Sequence, residues 1–132
     1  MNPTRQVALL RTLLVERGEG AWVICGSSSM VPTFGPGARL RVVPAATPRT
    51  GDVVLFDAGD SVVTHRVLAR VPWGSDAWLL HGGDAGWGAG LTRESSILGR
   101  VLSPGRPPTL TRQIVGVVLA IRDILRAPRF VT

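Results

Sequence analysis

The sequence predicts a small, mainly β, antiparallel domain flanked by an amino-terminal and a carboxy-terminal helix. Three observations lead there. Short apolar runs recur at Ala21–Cys25, Leu40–Val43, Val53–Phe56, Val62–Val71, Trp78–Leu80 and Ile97–Leu102. Clusters of glycine and proline separate them, at Gly35-Pro36-Gly37, Pro44–Pro48, Gly82-Gly83, Gly86–Gly90 and Ser103–Pro108. Runs of that length bounded by turn formers read as strands joined by tight turns. Finally, 132 residues with 45% hydrophobic and 18% charged side chains suffice for one core and argue against disorder.

Before the first strand, Asn2-Pro3 reads as a helix cap followed by proline in the first turn. Val7, Leu10, Leu13, Leu14 and Arg17 follow at helical spacing, predicting an amphipathic helix within 1–20 that ends near Gly18 and Gly20. The β-domain is expected over 21–103. A Pro-rich linker and a second helix, Leu110–Arg126, are expected within 104–132. The stretch Ile114–Ile121 is apolar nearly all round, which predicts burial against the β-domain, a partner or a membrane surface. No apolar run approaches the roughly 20 residues of a spanning helix, and no secretory signal opens the chain. The expected location is the cytoplasm, with the carboxy-terminal helix as the candidate for any peripheral membrane contact.

All fifteen cationic side chains are arginine, and there is no lysine. Mechanisms that need a lysine amine are thereby excluded: Schiff bases, P-loop chemistry and serine–lysine dyads. One cysteine, Cys25, and two histidines, His65 and His81, give little basis for a metal site, and none is expected. No cofactor is expected either. The net charge of +6 raises nucleic acid as a partner, but the arginines are scattered rather than clustered, so none is expected.

Three segments place reactive side chains beside glycines or turns. Gly26-Ser27-Ser28-Ser29-Met30-Val31-Pro32-Thr33 can present a hydroxyl and backbone N–H groups to one point, or be only a turn. In Val62–Leu68, strand alternation puts Val63, His65 and Val67 on one face, where His65 is either a packed histidine or a base. In Leu80-His81-Gly82-Gly83-Asp84-Ala85-Gly86, Asp84 is either a turn residue or the partner of an imidazole.

Taken in order, GSSSMVPTF, GDVVLF (Gly51–Phe56), THRVL (Thr64–Leu68), GGDAG (Gly82–Gly86) and ILGRVL (Ile97–Leu102) resemble the signal peptidase I superfamily, which includes the self-cleaving SOS-repressor-type proteases. The likeness covers about Val23 to Leu102. It implies a β-domain of that type and a serine endopeptidase acting on a precursor or leader peptide. Ser29 is then the nucleophile, with its own N–H and the Ser27 hydroxyl forming the oxyanion hole. His65 falls where one branch carries lysine and another histidine, and a chain without lysine can belong only to the histidine branch. Asp84 matches the aspartate of the GD box. Met30, Val31 and Phe34 become candidate substrate-binding residues, with core packing as the alternative.

The chemistry agrees with the histidine branch. A serine hydroxyl needs a base to remove its proton. Lysine, with a pKa near 10.4, must be strongly desolvated to serve, whereas imidazole near 6.5 already titrates in range. Imidazole instead needs a fixed tautomer and a partner for the imidazolium. The sequence has no acid between Asp84 and Glu94, so either Asp84 orients His65 or the site is a Ser–His pair. The likeness lacks the membrane anchor of true signal peptidases. The alternative function is a catalytically weak or inactive relative that binds a peptide or protein.

Overall fold

The computed structural model describes residues 3–59 and 61–102. The Pro-rich linker and the expected second helix lie outside them. The chain begins with helix α1 (Pro3–Leu10), which widens into a π-helical segment over Arg11–Glu16. There the backbone bonds reach back further than in an α-helix, with Arg17 N–H donating to the Thr12 carbonyl at 2.9 Å. Val7, Leu10 and Leu14 form the buried stripe of this segment, as its spacing predicts.

Seven strands follow: β1 (Ala21–Ile24), β2 (Arg39–Val43), β3 (Val53–Asp57), β4 (Val62–Trp73), β5 (Asp76–Gly82), β6 (Gly90–Arg93) and β7 (Ile97–Val101). They form one sheet in the order β1-β2-β7-β3-β4-β5-β6, and every pairing is antiparallel. The protein is therefore mainly β, as predicted. The sixth strand was not anticipated, because it begins inside the glycine cluster that reads as a turn.

Alternation along β3 divides the interior into two clusters. Val53 and Leu55 pack with Val7, Leu10, Leu14, Val23, Met30 and Leu98. Val54 and Phe56 pack on the other side with Val67, Leu79 and Ile97. Successive side chains of a strand face opposite sides of the sheet. Strand β3 can therefore be buried along Val53–Phe56 only because both faces are covered.

One irregularity in the sheet matters for the site. Strands β4 and β5 meet through the two-residue turn Gly74-Ser75, pairing Trp73 with Asp76 and continuing in register to Ala69 opposite Leu80. The register then slips, so that Val67 rather than Leu68 lies opposite His81. Leu68 is the extra residue of a β-bulge. Because facing is set by a period of two, that single residue moves His81 onto the face of β4 that carries His65 and Val67. No helix among the described residues is long and apolar enough to cross a membrane.

Candidate functional site

The serine loop leaves the end of β1 and is held at both ends. Cys25 exchanges backbone bonds with the β2 approach, donating to the Ala38 carbonyl and accepting from Gly37 N–H, each at 2.8 Å. Beyond it the chain turns tightly, Thr33 N–H bonding to the Met30 carbonyl at 2.8 Å, with a cis peptide bond between Val31 and Pro32. Met30 is fully buried in the larger core cluster, which anchors the residue next to Ser29. The Ser29 carbonyl accepts the Ala85 N–H at 2.9 Å. A Cβ on Gly83 would lie only 2.3 Å from that carbonyl oxygen, so the close approach of the two loops requires glycine there.

Ser29 is 5% exposed. Its N–H donates to Ser27 Oγ at 3.1 Å, and the Ser27 hydroxyl donates to Ser29 Oγ at 3.0 Å. With Ser27 supplying that hydrogen, the Ser29 hydroxyl proton is free to be directed elsewhere. The two groups expected to form an oxyanion hole thus lie side by side, the Ser29 N–H engaged by Ser27 Oγ and the Ser27 hydroxyl by Ser29 Oγ.

Ser27, Ser29 and His65 line one cleft of roughly 420 Å³, together with Val63, Thr64, Trp87 and Gly88. The Cε1–Nε2 edge of His65 lies at Gly88, where an added Cβ would come within 2.9 Å of Cε1 and 3.1 Å of Nε2. Burial pushes the His65 pKa down to about 4, with a smaller upward pull from the Asp84 carboxylate. The imidazole is therefore neutral at neutral pH and able to accept a proton, but burial makes it a weaker base than its ordinary value near 6.5 implies. A larger hollow of roughly 590 Å³ beside the Ala45–Arg49 loop contains none of these residues, and the smaller cleft is the better candidate on chemical grounds.

Asp84 is close by, but it does not hold His65. Its Oδ1 accepts from Arg66 Nε and its Oδ2 from Arg66 Nη2, both at 2.8 Å, and the Thr33 hydroxyl also donates to Oδ2. The expectation that Asp84 orients the base is corrected accordingly: a neighbouring arginine within reach claims both carboxylate oxygens, and what remains for His65 is a through-space field. The His65 Nδ1 instead meets Nδ1 of His81 at 2.9 Å. His81 is 7% exposed, its ring packs on Phe56 with centroids 4.6 Å apart, and burial followed by the proximity of His65 lowers its pKa to about 4.

The candidate substrate-binding trio needs correcting as well. Met30 is core, Phe34 is half-buried against the same cluster, and Val31 is exposed; none lines the cleft. An apolar side chain in a turn that packs down onto a sheet goes to the core first. Arg66, 2% exposed, was given no role in the sequence reading, although an arginine inside an apolar strand run signals a buried partner. Among the described residues there is no group of three or more His, Cys, Asp or Glu placed to hold a metal ion.

No protein-family profile, curated protein or solved structure matches this chain. What the site can do follows from its own residues.

Proposed function

We propose that the protein is a serine endopeptidase, of the signal peptidase I type in fold and site, that cleaves a precursor polypeptide with Ser29 as nucleophile and His65 as general base. The observation that carries this reading is the cleft shared by Ser29, Ser27 and His65. It combines a buried hydroxyl, an adjacent pair of oxyanion donors and a neutral imidazole.

In the acylation step the Ser29 Oγ lone pair forms a bond to the scissile carbonyl carbon, and the carbonyl π pair moves onto oxygen. His65 Nε2 takes the hydroxyl proton. The oxyanion displaces the internal contacts of the loop and accepts from Ser29 N–H and the Ser27 hydroxyl. The oxyanion pair then re-forms the carbonyl as the C–N bond breaks, its electron pair goes to nitrogen, and that nitrogen takes the proton from His65. Water then reverses the sequence to release Ser29. Substrate binding in the extended form suits β1. Among the described residues this strand pairs only with β2, and it runs straight into the serine loop. An added peptide strand could hydrogen-bond to its outer edge.

The test is labelling with a fluorophosphonate, which reports serine nucleophilicity without a known substrate. Wild-type protein should be modified at Ser29. Ser29→Ala should abolish the label, and His65→Ala should slow it by roughly 10²–10⁴-fold while circular dichroism stays unchanged. Labelling at another residue, or unchanged labelling in His65→Ala, would overturn the proposal. A peptide-binding module without catalysis would leave Ser29 unmodified.

A further inference from the structure

We infer that His81 is the positioning residue of the site, accepting the Nδ1 hydrogen of His65 where a serine hydrolase ordinarily uses a carboxylate. The inference rests on the peptidase reading above and names a partner that reading leaves open.

The Nδ1–Nδ1 contact of 2.9 Å can exist between neutral rings only if one of the two nitrogens carries a hydrogen. When His65 carries it, the Nε2 lone pair of His65 is left available beside Gly88, in the cleft that Ser29 also lines. His81 then holds its own hydrogen on Nε2 and offers Nδ1 as acceptor. When His65 takes the Ser29 proton, its charge is shared through the existing Nδ1–H bond to a neutral partner.

Three features build this contact in. The bulge at Leu68 puts both histidines on one face and makes them diagonal neighbours across β4 and β5, a separation that aromatic rings bridge. Phe56 packs against both rings, with centroids 4.6 Å from His81 and 6.1 Å from His65. The residue paired with His81 on β6 is Gly90, where a Cβ would stand 3.4 Å from the His81 ring. The carboxylate that could compete, Asp84, has both oxygens engaged by Arg66.

Two substitutions separate positioning from packing. His81→Phe keeps an aromatic ring against Phe56 but removes the acceptor. His81→Asn gives up ring packing but places a carbonyl oxygen near the position of Nδ1. If His81 positions the base, Phe should lower the rate of fluorophosphonate labelling by about 10²-fold or more, and Asn should restore most of it. If His81 only fills space, the order reverses, and that result would overturn the inference.

Nitrogen-resolved NMR of the wild-type imidazoles at neutral pH gives a second reading that needs no variant to fold. His65 should hold its hydrogen on Nδ1, and a resting His65 with hydrogen on Nε2 would overturn the assignment. Failure of the wild type to label at Ser29 would instead remove the peptidase reading, while the tautomer would still decide what His81 does.

Discussion

Arg66 and Asp84 form a two-pronged ion pair with both side chains almost wholly buried, at 2% and 3% exposure. The third arm of the guanidinium, Nη1, donates to the Gly51 carbonyl at 2.7 Å, and the Thr33 hydroxyl closes on the carboxylate. One pair therefore joins β4, the serine loop, the aspartate loop and the entry to β3. Its work is to hold the parts of the site together.

Removing one member should cost stability first. Asp84→Asn leaves a buried guanidinium with half a partner, a defect worth about 3–5 kcal/mol, readable as a lower denaturant midpoint. Well below the unfolding transition, Ser29 labelling should be reduced less than in His81→Phe. Wild-type stability combined with lost labelling would instead make Asp84 the residue that orients the base.

Acid should destabilise the protein through its two histidines. Burial holds both near pKa 4 in the fold, against about 6.5 in the unfolded chain. Between those values the unfolded state binds more protons, so stability rises with pH and is lost as pH falls from about 6.5 toward 4. The charged neighbour that acts on His65 is Asp84, which weakens the effect without reversing it. Each histidine contributes a slope of up to about 1.4 kcal/mol per pH unit. Urea titrations across this window should show the slope in the wild type and a shallower one in His81→Asn. A flat wild-type profile would contradict the burial argument.

Gly88 should be needed for reactivity more than for folding. Its φ of +77° disfavours any side chain, and a Cβ would press on the Cε1–Nε2 edge of His65. Gly88→Ala should therefore lose labelling together with about 1–3 kcal/mol of stability from backbone strain. Gly74→Ala is the control: its φ is also positive, at +61°, but a Cβ there meets nothing within 4 Å. It should show a similar strain cost with labelling intact. Equal labelling in both variants would separate Gly88 from the site.

Much of the architecture was legible in the sequence because the sheet is built from alternating or fully apolar runs. The buried helical stripe Val7, Leu10 and Leu14 and the strands carrying Val53–Phe56 and His65 follow directly from periodicity. That Ser27, Ser29 and His65 line one cleft accords with the order of the motifs. The partner of His65 was not, because a regular hairpin from Gly74-Ser75 would place His81 opposite Leu68, on the far face. Only the extra residue in β4 reverses this, and apolar Leu68 inside an apolar run gives no sign of a bulge. Asp84 was misassigned for a related reason. The likeness aligned it with a catalytic position, while the arginine that claims it stands one residue after His65, on the opposite face of the strand.

The free edge of β1 has a consequence of its own. Among the described residues β1 has one side unpaired, and such a strand, with Trp22 and Ile24 60% and 69% exposed, is a template on which other copies of the chain can stack. The protein restrains it in two ways. The strand is only four residues long, and the guanidinium groups of Arg39 and Arg41 lie over the Trp22 ring at 5.0 and 5.6 Å from its centroid. Two positive charges over the exposed indole of that edge oppose the approach of a like copy by mutual repulsion. Two of the arginines that first read as scattered composition thus place positive charge where like copies would have to meet.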